Sequence, residues 1–120
     1  MIAEGTRWHR LQDARIVTLS EGALLKLKVG GRAMVIIRHQ GRLHAMADHC
    51  PHQDRALSGG WVENGHVVCP WHRIHFDLAT GKAKHGVCSN VEVFAMKEDE
   101  RGPSVGIPYT TLRIFGWDLW

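Results

Sequence analysis

Two short segments of this chain carry the residue types that hold soft metals: Cys50-Pro51-His52 and Cys69-Pro70-Trp71-His72. They make a C-x-H and a C-x-x-H separated by sixteen residues. Each pairs a thiolate with an imidazole at a spacing that lets one short loop aim both at a metal. Between them, Asn64-Gly65 is a strong two-residue hairpin signal, so the chain can double back and bring the two loops together. A Cys₂His₂ set can hold one tetrahedral zinc as a structural staple or take part in an iron centre. The bland alternative, core cysteines and surface histidines without a metal, leaves the paired spacing unexplained.

The rest of the composition agrees with a small metal module. The chain has 120 residues, enough for one domain and too few for two independent cores or a self-sufficient enzyme. Its three cysteines are odd in number and too sparse for the disulfide framework of a small secreted domain, whereas nine histidines accompany them. The formal charge is +3, with eight Lys/Arg against three Asp/Glu in residues 1–45, but no stripe of clustered cations with interleaved aromatics emerges. Nucleic-acid binding is therefore not expected. The longest apolar runs are about five residues, against about 20 for a membrane-spanning helix. The first ten residues mix Glu4, Arg7, His9 and Arg10 with apolar positions, unlike a targeting segment. The expectation is a soluble, cytoplasmic protein with no membrane contact.

The elements that must position the two segments read as strands. Leu25, Leu27 and Val29 alternate with Lys26 and Lys28 before Gly30-Gly31 turns the chain into a second strand, 33–38. Gln40-Gly41 turns it again into 42–47. Trp61-Val62 and Val67-Val68 flank Asn64-Gly65 and can pair across it. Further strands are expected at 74–78, 91–97, 105–107 and 112–115, with a surface turn over 98–102. The result is an all-β domain.

Residues 50–81 resemble the cluster-binding region of Rieske proteins, in which two cysteines hold one iron of a [2Fe–2S] centre and two histidines hold the other. The similarity includes Leu57-Ser58, Gly60 and Val62 after the first segment, and Phe76-Asp77-Leu78 with Thr80-Gly81 after the second. Upstream, Glu21-Gly22, the residues around Gly30-Gly31, Arg38, Gly41 and Ala45 fit the same lead-in, so the resemblance runs over about residues 7–97. It implies a Rieske fold: an antiparallel sandwich or barrel-like basal domain (1–47 and 79–120) with a small cluster-binding β subdomain inserted at about 48–78. It implies one Rieske [2Fe–2S] cluster on Cys50, His52, Cys69 and His72, with Trp71, Leu57 and Phe76 packed around it. His52 and His72 would face the surface as the electron exit and couple reduction to proton uptake.

Histidine ligation leaves the oxidised centre nearly neutral, so an electron is added more easily than to an all-cysteine cluster. High-potential members of the family add a disulfide between the loops and hydroxyls beside the cluster. Here Arg55 and Trp71 stand at the disulfide positions, and Ile74 and Phe76 replace the hydroxyl-bearing residues. A low potential is expected, about −150 to 0 mV. The resemblance thus implies a ferredoxin: a carrier of single electrons, not catalytic alone, between an NAD(P)H-dependent flavin reductase and a terminal oxygenase. The alternatives are a Rieske-like small subunit of a reductase, such as NADH-dependent nitrite reductase, and the zinc module. Cys88, away from both loops in sequence, reads as a small buried residue, and His49 and His75 as surface or hydrogen-bonded imidazoles. Arg73 stands where the family usually has a small residue and would add positive charge at the exit. The aromatic tail 109–120 reads as a last strand with an aromatic plug, or as a partner or dimer contact; oligomeric state is open.

Overall fold

Ten strands are described: β1 (Ile2–Arg10), β2 (Leu24–Val29), β3 (Arg32–His39), β4 (Arg42–Ala47), β5 (Trp61–Glu63), β6 (His66–Val68), β7 (His75–Asp77), β8 (Val93–Asp99), β9 (Gly102–Ile114) and β10 (Trp117–Asp118), with one short helix, α1 (Ala14–Val17). The computed structural model describes residues 2–51, 55–114 and 117–118, and side chains for 5–51 and 55–109. His52 lies outside the described residues, as do Phe115, Gly116 and Trp120 of the tail. Among the described residues no helix is long and apolar enough to cross a membrane.

The strands form two antiparallel sheets. One runs β1-β9-β8-β4-β3-β2 with β10 on β9 and curls as a half-barrel; the other is β5-β6-β7. The all-β expectation holds, and so do the hairpins written in glycine: β2 pairs with β3 from Leu24↔Ile37 to Val29↔Arg32, and β5 with β6 from Trp61↔Val68 to Glu63↔His66.

Two elements depart from the sequence reading. β1 was not expected, because Glu4, Thr6, Arg7, His9 and Arg10 leave it without apolar alternation. Nine register pairs with β9 make it a strand, and Tyr109 covers Gly5 across that ladder. The same pairing explains why β9 is one strand rather than the two shorter ones expected at 105–107 and 112–115. Helix α1 was also missed: it is a single turn capped by Asp13, whose carboxylate accepts from Arg15 N–H at 2.9 Å.

β3 joins the two halves of the molecule. Met34, Val35, Ile36 and Ile37 are all fully buried, and alternation sends them to opposite faces. Met34 and Ile36 pack with Leu11, Ile16, Leu43, Phe94 and Val105 inside the half-barrel. Val35 and Ile37 pack with Leu57, Val67, Phe76, Leu78 and both loop cysteines on the other face. The small sheet therefore sits on a core it shares with the large one.

Candidate metal centre

The first ligand loop leaves β4 at Asp48. This carboxylate is 8% exposed and accepts two hydrogen bonds from one residue, Ser58 N–H at 2.7 Å and Ser58 Oγ at 2.8 Å. Inside that clamp, the Cys50 N–H donates to the Arg55 carbonyl at 2.6 Å, and the two residues form an isolated bridge. After a short 3₁₀ turn (Leu57–Gly59), Gly60 passes so close to β6 that a Cβ there would lie 1.9 Å from the Val68 carbonyl oxygen. Only glycine allows the first loop to press against the start of the second.

The second loop closes on itself. Cys69 N–H donates to Ile74 C=O at 2.9 Å, and Arg73 N–H donates to Cys69 C=O at 3.0 Å. Arg73 takes a left-handed backbone, φ 53°. Cys50 and Cys69 are fully buried in one core cluster with Leu57, Ile74 and Phe76, and His72 is exposed at the loop tip. Trp71, expected to pack over the site, is 54% exposed, with the Arg55 guanidinium 4.1 Å from its ring centroid.

The structure adds a place for Cys88 to the reading of it as a small buried residue. Distant in sequence, this cysteine folds back half-buried against the cluster that contains Cys50 and Cys69. Its thiol is held above its ordinary pKa by burial and by the neighbouring Cys69. None of the three cysteines forms a disulfide. His75 is half-buried, 6.1 Å from His66 between ring centroids, and His49 is exposed.

Asp77, on β7, caps the turn that follows the second loop's strand. Burial works to raise its pKa, but the N–H groups of Thr80 and Ala79 outweigh it and hold the carboxyl below its ordinary value. Sequence reasoning missed the Asp48–Ser58 clamp and the Arg55–Trp71 stack. Ser58 stood in the recognised pattern, but nothing local says which acid it meets.

The donor set can be tested against the centre it resembles. Among the described residues no three or more His, Cys, Asp or Glu converge as a mononuclear site. A centre of two irons with two protein ligands each asks for pairs, and the described residues supply one sulfur pair, buried in one apolar cluster, and one imidazole at the rim. The residues present fit the group.

Residues 8–95 match the Rieske [2Fe-2S] domain family. The chain belongs to that family, and its cofactor is a Rieske [2Fe–2S] cluster. It is 31% identical over 88 residues to the ferredoxin component of the naphthalene 1,2-dioxygenase system of Pseudomonas putida, covering 72% of this chain and 85% of that one. It is 32% identical over 63 residues to apoptosis-inducing factor 3 of Mus musculus and Homo sapiens, covering 52% of this chain. Of that longer relative it spans only 10%. Two solved structures share the fold. One is a chain of the complex of reduced oxygenase and oxidised ferredoxin in carbazole 1,9a-dioxygenase, with TM-score 0.70, 24% identity, and 82% and 91% of the two chains covered. The other is described as the NADH-dependent nitrite reductase small subunit from Mycobacterium tuberculosis, with TM-score 0.72, 19% identity, and 85% and 96% covered.

Proposed function

We propose that this chain is a soluble carrier of single electrons, taking them from a flavin-type, NAD(P)H-dependent reductase and passing them to a terminal oxygenase. Cys50 and Cys69 would hold one iron of the cluster, and His52 and His72 the other. The cluster supplies reversible one-electron chemistry. This chain's residues keep the sulfur side dry and bring the imidazole side to the surface. The observation that carries the reading is the contrast between the fully buried Cys50 and Cys69 and the exposed His72, which shares one closed loop with Cys69. Residues 48–78 would act as the cluster-binding subdomain inserted between 1–47 and 79–120.

Ile74 and Phe76 pack with both cysteines and have no hydroxyl to donate toward sulfur, which supports a potential of about −150 to 0 mV. The likeness to a nitrite reductase small subunit favours a second reading, a subunit of a larger reductase; the complete ligand set favours the carrier. Visible and electron paramagnetic resonance spectra of anaerobically purified protein test the assignment. A Rieske spectrum that is lost in Cys50→Ser and Cys69→Ser is expected. A colourless, iron-free preparation overturns it, and bound zinc in its place would make the site a structural staple. Voltammetry giving a potential well above about +100 mV overturns the low-potential part.

A further inference from the structure

Beside the exposed His72 lies an open hollow of about 270 Å³ lined by Arg73, Ile74, His75, Lys84, His85 and Val87. Two cations and three imidazoles, counting His72, surround it, and among the described residues no carboxylate lines it. Two exposed apolar groups flank the same loop tip, Trp71 at 54% and Val87 at 58%. Exposed apolar groups beside charges of one sign are the composition of a small, transient protein contact.

Backbone conformation singles out the same place. Among the described residues, four other than glycine have left-handed backbones: Gln40, Asn64, Arg73 and His85. The first two open the tight hairpin turns Gln40-Gly41 and Asn64-Gly65, which demand that conformation. Arg73 (φ 53°) and His85 (φ 64°) belong to no such hairpin, and both line the hollow. Glycine would adopt either conformation without strain, yet the chain puts basic side chains there. Strained residues gathered at one surface point to a requirement other than stability.

We infer that this hollow is a docking surface for a protein partner with an acidic face, which the Arg73 and Lys84 side chains steer onto the loop tip carrying His72. The inference rests on the carrier reading and adds the sign of the partner's charge. Opposite charges across such a contact raise the encounter rate at low salt and lose that advantage as salt screens them.

The test uses the holoprotein reduced with dithionite and followed by stopped flow. The oxidants are anionic ferricyanide, cationic tris(phenanthroline)cobalt(III) and the acidic protein cytochrome b5, in salt from about 20 to 300 mM. Rates with ferricyanide and cytochrome b5 should fall as salt rises, and the rate with the cobalt complex should rise. Arg73→Glu with Lys84→Glu should cut the low-salt rate with cytochrome b5 by about tenfold and flatten its salt dependence. Arg73→Gly, which glycine's backbone tolerates, should do part of this. Arg101→Glu, at the β8–β9 turn away from the ligand loops, should do neither. Unchanged salt slopes in the double variant, or wild-type slopes of the opposite sign, overturn the inference.

A second measurement does not need the cluster. Zero-length carbodiimide coupling to poly-L-glutamate should join Lys84 before Lys26, Lys28 or Lys97; even coupling overturns the docking surface. A preparation lacking the Rieske spectrum but coupling at Lys84 sinks the carrier reading alone.

Discussion

The guanidinium of Arg55 lies 4.1 Å from the centre of the Trp71 ring, and this stack ties the first ligand loop to the second. The two residues stand where high-potential relatives carry an inter-loop disulfide, so a non-covalent clasp occupies the place of a covalent one. A cation over an exposed indole contributes about 0.5–1 kcal/mol. A disulfide typically contributes about 2–4 kcal/mol. The loops of this chain are thus held together more weakly at that point.

Arg55→Ala and Trp71→Ala should each lower stability by about 0.5–1 kcal/mol. The double variant should cost little more than either single one. Urea unfolding of all three checks this; fully additive losses would mean that the stack contributes nothing.

Asp48 should matter more to the first loop than any exposed charge on the surface. Ser58→Ala removes the hydroxyl that meets Asp48 Oδ2 at 2.8 Å, leaving a nearly buried carboxylate with one donor fewer, at a cost of about 1–3 kcal/mol. Iron release should quicken in parallel, since the clamp lies outside the Cys50–Arg55 tie. Denaturation midpoint and iron loss to a chelator are the measurements.

Gly60→Ala should be among the most damaging single substitutions in the chain. The added Cβ meets a backbone oxygen at 1.9 Å rather than a movable side chain, and the expected loss is about 3 kcal/mol or failure to fold. Gly22→Ala is the control: its φ is +79° with nothing within 4 Å of the added carbon, so about 1 kcal/mol of conformational strain is expected. Thermal unfolding of both compares a steric clash with backbone strain.

Acid should loosen the joint between the sheets. His44 on β4 shares a hollow with His39, Arg42, Asp77 and Leu78. Burial holds its pKa below the ordinary 6.5, helped by His39 and Arg42 and opposed by its bond to Leu78 and by Asp77. The unfolded chain therefore takes up this proton first, and stability present above about pH 6.5 is lost as pH falls through the folded pKa. Urea midpoints between about pH 7.5 and 5 should fall in the wild type and fall less in His44→Asn. Equal slopes in the two proteins would remove His44 from the account.

Much of the fold was legible because it is local. Gly30-Gly31, Gln40-Gly41 and Asn64-Gly65 each impose a reversal within two residues, so β2 to β6 follow from neighbouring chemistry. β1 was not legible: its polar sequence becomes a strand only through a ladder with β9, about a hundred residues away. Of the candidate site, the spacing of Cys50, Cys69 and His72 was plain, and Leu57 and Phe76 are buried with the cysteines. His52 lies outside the described residues.

What the sequence alone determined is the chemistry: which atoms can bind a soft metal, the loops that carry them and the family they match, all properties of residue type and short spacing. The tertiary structure decided what surrounds those atoms. It set Arg55 on Trp71, Asp48 under Ser58, Cys88 against the core of Cys50 and Cys69, and Arg73 beside Lys84. Each of these is a meeting between segments that have no local reason to be adjacent. They meet because β3 buries both its faces and draws the two sheets onto one strand.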